Sequence, residues 1–398
     1  MIVHRGYKTE LKLNNTQRTT CLKHAGTARF TYNWGLARRI ELYEKEKRST
    51  NSIELHRELN RLKVKVYPWM YEVSKCAAQE ALRDLDTAFK NFFTGRARYP
   101  RSRSRKRGAS SFRLTGTIKV FENAIQLPRL GRLRLKERGY LPTDVHILSA
   151  TVSERAGRWY VSVLVEEEID VPINGGPSAG VDLGIERLAT VSDGTVFKNP
   201  RSFSRYERKL RRMQRSLARK RKGSKNRKKT VHRIQRVHAR IGNIRRDAIH
   251  KATSWLARTK SVVVVEDLNV SGMMNNKHLS KAVSDVGFNE FRQQLDYKTE
   301  WCGSRLVVAD RFFPSSKRCS RCGHVKRRLR LSERTFMCGK CGLRIDRDLN
   351  ASHNLEKLAV SCTESLNARE KGKRWPSRYC GGETTPDEAG IEHRLELF

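Results

Sequence analysis

Negative charge is what this sequence is short of. Against 83 Lys and Arg stand only 41 Asp and Glu, a formal net charge of +42 over 398 residues. A surface this basic repels itself unless a polyanion neutralises it, and solubility needs far less. Apolar residues are also scarce, at 37%. No run of 18 of them is present to cross a bilayer, which removes a membrane-spanning role. The opening Met-Ile-Val-His-Arg lacks the apolar stretch of a secretory signal. Nine cysteines are present, and five of them (Cys21, Cys76, Cys302, Cys362 and Cys380) are scattered singly. A reducing, cytoplasmic and nucleoid-associated setting is therefore expected, without disulfides. Nucleic acid remains as the partner, because counterion release from phosphates drives the binding of such surfaces.

The length suits two or three domains. Residues 15–107 read as mainly helical. Ala78, Leu82, Leu85, Phe89 and Phe92 follow helical periodicity, as do Phe30, Trp34 and Ala37 upstream. Base stacking would use such aromatics, but the stripe spacing favours a helix-helix core. Residues 95–107 carry seven Lys or Arg around Pro100 and form a basic loop. From Ser111 to Glu166 short alternating strands take over, with Trp159, Val161, Val163 and Val165 on one face, which suggests a small β-barrel. The linker at residues 172–178 marks a domain boundary.

Strands and helices alternate beyond it. Residues 180–191 read as a strand, with Ser192-Asp-Gly194 turning it back over residues 195–198. Residues 201–246 hold 20 Lys or Arg and one acid, Glu207, and a charge run is ordinarily a solvated face. Solvated helices normally mix signs for i,i+4 support, so this stretch, split by Gly223-Ser224 into a helical hairpin, suggests a cradle for a phosphate backbone. Residues 262–265 and 306–309 are buried-strand candidates, and residues 288–301 a helix. No internal repeat is evident.

The other four cysteines form Cys319-x2-Cys322-x15-Cys338-x2-Cys341. Each x2 knuckle presents two thiolates, and four thiolates close the sphere of a tetrahedral zinc ion, leaving no open position for substrate. The expected zinc is structural, stapling a ribbon too small to bury a core. Redox CxxC pairs and iron–sulfur ligation are the alternatives. Basic residues flank the ribbon: Lys317, Arg318, Arg321, Lys326, Arg327, Arg328 and Arg330.

Three acids stand where chemistry would place them. Asp182 interrupts the apolar Ala179-Gly-Val-Asp-Leu-Gly-Ile185, Glu266 ends the valine run, and Asp348 lies in Asp346-Arg-Asp-Leu-Asn350 at an expected helix start. A carboxylate buried at a strand costs several kcal/mol unless a cation pairs with it. Two Mg²⁺ ions about 3.5–4 Å apart would provide that pairing and could hydrolyse a phosphodiester without a His or Ser nucleophile. Taken singly, each acid has a plainer reading: Asp182 a turn or cap residue, Glu266 a strand end, Asp348 a helix N-cap.

Gly180-Val-Asp-Leu-Gly-Ile185, Val265-Glu-Asp-Leu-Asn-Val270, Phe313-Pro-Ser-Ser316 and Asp346-Arg-Asp-Leu-Asn-Ala351 resemble the RuvC-type motifs of the TnpB proteins. Insertion sequences encode these proteins, which are similar to compact type V CRISPR effectors. Arg29-Phe-Thr-Tyr-Asn-Trp34, residues 81–93 and Tyr99-Pro-Arg101 extend the likeness over roughly residues 1–356. Ser352 and His353 depart from the small or apolar residues common there, and Arg318 precedes the first ribbon cysteine. Neither change removes a ligand.

The resemblance implies a multidomain α/β plus all-β chain. Its parts would be a β-barrel wedge domain (1–14 and 109–172), an inserted helical recognition domain (15–108), an RNase H-like RuvC nuclease domain (178–312 and 346–368) and a zinc-ribbon module (313–345) that binds target nucleic acid; beyond Leu355 the likeness fades, and residues 369–398 are expected to be a flexible tail. It implies a Mg²⁺-dependent endonuclease with Asp182, Glu266 and Asp348 as catalytic ligands, monomeric in complex with an element-derived guide RNA. Double-stranded target DNA would be cut after a short adjacent motif is read. Lys75 and Gln79, four apart on one helix face, match the motif-reading positions; surface residues would share that spacing. A nuclease-inactive, RNA-guided regulator should lack a carboxylate, and all three are present. A transposase of the His-x-His and Tyr type is disfavoured, since none of the 11 His forms that pair. A transposition accessory role stays open. A plain zinc-ribbon binder leaves the acids unexplained.

Overall fold

The computed structural model describes residues 1–105, 110–330 and 332–367, with side chains through Ala359 in the last helix. The expected tail at 369–398, and part of the basic 95–107 loop, lie outside the described residues. The chain divides into two compact units, residues 1–169 with 219–239, and residues 170–218 with 240 onward. Among the described residues no helix is long and apolar enough to cross a membrane.

The first unit opens with strand β1 (Ile2–Lys12) and helices α1 (Asn15–Glu46), α2 (Ser52–Lys65) and α3 (Lys75–Phe93), with a 3-10 turn at Pro68–Glu72. Strands β2 (Ser111–Leu114), β3 (Lys119–Phe121), β4 (Ala124–Leu127), β5 (Gly131–Leu135), β6 (His146–Arg155) and β7 (Arg158–Glu168) follow. They build a seven-stranded antiparallel sheet in the order β2-β6-β7-β1-β5-β4-β3. β1 runs beside β7 from Ile2 opposite Glu168 to Leu11 opposite Trp159, and its last residues reach β5. Trp159, Val161, Val163 and Val165 all point inward, as their alternation demands. One core takes side chains from β4 and β5 as well as β6 and β7, so the sheet curls around it in barrel fashion.

Helix α1 starts at a capping box in which Asn14 and Gln17 satisfy each other's backbone N–H groups. Its buried face is Cys21, Ala25, Ala28, Tyr32 and Leu36 rather than the expected stripe. Phe30 and Trp34 instead border a smaller cluster with Leu59, Met70 and Ala78, and Ala37 is exposed. The helix meets two neighbouring clusters, so a single stripe cannot describe it. In α3 the expected stripe is core at Ala78, Leu82 and Leu85 and half-buried at Phe89 and Phe92.

The second unit contains β8 (Ala179–Asp182), β9 (Arg187–Val191), β10 (Val196–Lys198), α4 (Ser202–Ala218) and α5 (Lys225–Thr259), whose residues up to 239 group with the first unit. Next come β11 (Val262–Glu266), α6 (Val270–Asn275), α7 (Ser280–Val286), α8 (Phe288–Trp301), β12 (Arg305–Ala309), β13 (Thr335–Met337), β14 (Arg344–Asp346) and α9 (Arg347–Asn367). The five-stranded sheet runs β10-β9-β8-β11-β12, with β8, β11 and β12 parallel and β9 and β10 antiparallel. Residues 180–191 are thus two strands, not one. Leu183-Gly-Ile-Glu186 reverses the chain and sets Val181 opposite Val191. The turn is itself partly apolar, so the two strands read as one.

The two faces of this sheet have different partners. Ala179, Val181, Val263 and Val265 pack with Ile249 and Leu256 of α5 and Phe291 and Leu295 of α8. Val264 packs with Leu355 and Ala359 of α9. By the two-residue period, Gly180, Asp182, Val264 and Glu266 share the α9 face. At Gly180 the helix lies against the strand backbone: a Cβ there would sit 1.9 Å from the Ser352 carbonyl oxygen and 2.4 Å from the Glu356 nitrogen. Both obstacles are backbone and cannot rotate away. Gly180→Ala is expected to destabilise the second unit by about 3 kcal/mol, read as a lower midpoint in chemical unfolding.

Candidate active site

Asp182 ends β8 and Glu266 ends β11, adjacent parallel strands whose register puts Val181 beside Val265. Both acids therefore leave the sheet side by side. Asp348 comes from the first turn of α9, the helix seated on that face by Gly180. Its backbone N–H, and that of Leu349, donate to Asp346 Oδ1 at 3.0 and 3.1 Å. Asp346 is therefore the N-cap, which overturns the capping reading of Asp348 and leaves the Asp348 carboxylate free of that duty. Asp346 also pairs with Arg187 at 3.1 Å.

The Asp182 carboxyl responds to both of the other acids. Loss of water raises the Asp182 carboxyl well above the usual carboxylate range, and the charges of Glu266 and then Asp348 raise it further. Glu266 is raised for the same first reason, opposed by the Ser315 hydroxyl, which donates to its Oε1, and by positive Arg347. Arg347 Nε lies 3.5 Å from Asp348 Oδ1. One guanidinium against three carboxylates leaves an excess of negative charge suited to cations. Ser315 and Arg347 carry roles that the sequence did not assign, although both lie within the quoted motifs.

The four cysteine sulfurs all lie within 4.8 Å of one another. Among the described residues they are the one His, Cys, Asp or Glu set gathered for a single ion, and the carboxylates are not so grouped. Two knuckles repeat one pattern. Cys319 N–H donates to His324 O at 2.8 Å, and Cys338 N–H to Leu343 O at 2.9 Å. Gly323 and Gly342, at φ +76° and +70°, turn each loop in the left-handed region that other residues rarely adopt. N–H groups of Cys341 and Lys340 aim at the Cys338 sulfur and lower its thiol to about 6. The Leu343 N–H favours the Cys341 thiolate, yet burial and the three crowding sulfurs raise it to about 12. Four sulfurs this close cannot all ionise without a cation, and the closed set fits a tetrahedral metal such as zinc.

The ribbon and the acids share a fastening. Asn350 accepts from Ser320 N–H at 2.9 Å and donates to Arg318 O at 2.7 Å, gripping the first knuckle from α9. Asn354 donates to Arg318 O at 2.6 Å and Ser315 O at 2.8 Å, fixing the loop that holds Glu266. Lys75 and Gln79 belong to the first unit: Lys75 is exposed at the start of α3, and Gln79 is half-buried one turn later.

A mixed five-stranded sheet with acids at its strand ends, a helix bringing a third acid and a four-cysteine ribbon define an RNase H-like, RuvC-type fold. The chain belongs to the TnpB family. Residues 160–277 match the family model described as "Probable transposase", and residues 288–355 match "Cas12f1-like, TNB domain". Residues 1–48 match "Helix-turn-helix domain", although here they form β1 and the unbroken α1. A Streptomyces pristinaespiralis protein named as a candidate RNA-guided DNA endonuclease is 37% identical, the match covering 94% of each chain. InsQ of Escherichia coli (strain K12), named likewise, is 33% identical over 93% of this chain and 97% of its own. The fold is shared with the protein of a Cas12f1-sgRNA-target DNA complex, at a TM-score of 0.56 and 13% identity over 89% of this chain and 99% of that one.

Cys338→Ser is expected to cut bound zinc well below one ion per chain and to lower the melting temperature, measured by metal analysis and calorimetry. The raised Asp182 carboxyl favours folding while protonated. That contribution is lost as pH rises through its folded-state value. Without added divalent cation, wild-type stability should therefore fall as pH rises above the ordinary carboxylate range, and Asp182→Asn should flatten that fall, as thermal melts at a series of pH values would show.

Proposed function

We propose that the protein is an RNA-guided DNA endonuclease of an insertion sequence, and that Asp182, Glu266 and Asp348 hold two Mg²⁺ ions at the scissile phosphate. The observation that carries this reading is the placement of Asp182 and Glu266 at the ends of neighbouring parallel strands, with Asp348 supplied by the helix packed on that face. When bound, such ions supply a metal-activated water and offset charge on the leaving 3′ oxygen. The chain's own groups set the geometry. Ser315 orients Glu266 through its hydroxyl, and Asp346 caps α9, so the Asp348 carboxylate is not used as the cap. The positive N-terminal end of α9 favours an anionic phosphate beside it.

Guide pairing would supply sequence, with the protein reading shape and a short motif. Lys75 and Gln79 are proposed as the motif readers, set on α3 by its Ser74 N-cap, whose own N–H donates to His24 Nε2 at 3.0 Å. In the second unit α4 exposes Arg208, Arg212 and Arg215, and in the first the start of α5 exposes Lys225, Lys229 and Arg233; each set suits a nucleic-acid backbone. The module assignment follows: wedge sheet, helical recognition insert, nuclease sheet and zinc ribbon, in a monomer bound to RNA and acting in the bacterial cytoplasm. The likeness to a model described as "Probable transposase" favours a second reading, an accessory role in transposition; joined rather than merely cut DNA ends would support it.

Asp182→Ala, Glu266→Ala and Asp348→Ala are each expected to lower cleavage by roughly 10³-fold or more while leaving RNA and DNA affinity nearly unchanged. Gel cleavage and filter binding on the purified complex test this. A discrete RNA from the element's end should copurify and be identified by sequencing, whereas heterogeneous host RNA would contradict guidance.

A further inference from the structure

Beside Glu266 lies a cleft of about 390 Å³ whose walls include Asn269, Arg311, Phe312, Phe313 and Lys317. Phe312 is 87% exposed, the most exposed aromatic side chain among the described residues. An aromatic ring is normally buried, where its large apolar area is removed from water. Here the turn that carries it is braced on both sides. Arg311 grips Asp267 Oδ2 through Nε at 3.0 Å and Nη2 at 2.6 Å, and Phe312 N–H donates to Asp310 Oδ1 at 2.8 Å. Phe313 N–H donates to Asp310 O at 3.1 Å, and Phe313 itself packs against the α9-side core. The backbone is thus fixed while one ring is left outside, at the mouth of a cleft shared with a proposed metal ligand.

We propose that Phe312 is a stacking platform for an unpaired DNA base next to the scissile phosphate. The inference rests on the nuclease reading and deepens it by naming how the substrate strand is gripped. Bases within a duplex already stack on each other, so a free ring can take only a base released from pairing. Every base offers a π-face, so the contact is tolerant of sequence, as suits an enzyme that takes its sequence from a guide. Exposed Lys317 on the same cleft adds positive charge for the strand's phosphates. Phe312 is a positioning residue: it holds the strand while the acids perform the chemistry.

The test uses the full chain with its copurifying RNA and single-stranded DNA whose guide-complementary segment is flanked by unpaired stretches, carrying 2-aminopurine at successive unpaired positions beside the mapped cut. Asp182→Asn serves as the non-cleaving background for fluorescence. Quenching is expected at one position beside the cut, lost in Phe312→Ala and kept in Phe312→Tyr. Cleavage by Phe312→Ala should fall by roughly 5- to 30-fold, with RNA affinity and melting temperature unchanged. Equal quenching and equal cleavage in Phe312→Ala would overturn the platform while leaving the nuclease reading intact. If the wild type fails to cut DNA although quenching depends on Phe312, the nuclease reading falls and a single-strand-binding cleft remains.

Discussion

Three acids from distant parts of the chain, brought to one face of a sheet by strand register and a close-packed helix, are the constraint on which the second unit turns. Asp182 and Glu266 leave neighbouring parallel strands, and Asp348 is brought to them by α9. That meeting depends on the absence of a side chain at Gly180, because the helix backbone occupies the space a Cβ would take. Burial first, and then the charges of Glu266 and Asp348, hold the Asp182 carboxyl well above its usual range. A bound cation would favour its ionised form.

The ribbon and the acids are one mechanical unit. Asn350 and Asn354, on successive turns of α9, grip the backbone at Ser320, Arg318 and Ser315. Ser315 in turn donates to Glu266. Disorder in the first cysteine knuckle would therefore reach a proposed catalytic ligand through two asparagines and one serine. A metal with no open coordination position can govern chemistry in this way, by holding a helix rather than by touching substrate.

Periodicity located most elements of the second unit because its strands are short, apolar and separated by polar helices. Residues 288–301 form α8, and the Gly223-Ser224 break separates α4 from α5. It failed where two environments overlapped. α1 packs against two clusters and shows no single stripe, and the apolar Leu183-Gly-Ile turn hid the hairpin between β8 and β9. The capping of α9 is ambiguous in the sequence for a simpler reason: Asp346 and Asp348 are both N-cap residue types, and only hydrogen-bond geometry chooses between them.

The thiolate spacing, the charge imbalance, the acids within apolar runs and the family motifs are all legible in the chain, since each is local or compositional. Folding alone sets which face of the sheet the acids share, brings Ser315 and Arg347 to them, and leaves Phe312 in solvent beside Glu266. Those facts depend on strand register and on the approach of a helix separated by many residues from the strands it covers. No local pattern encodes such distances, because packing in the folded state fixes them.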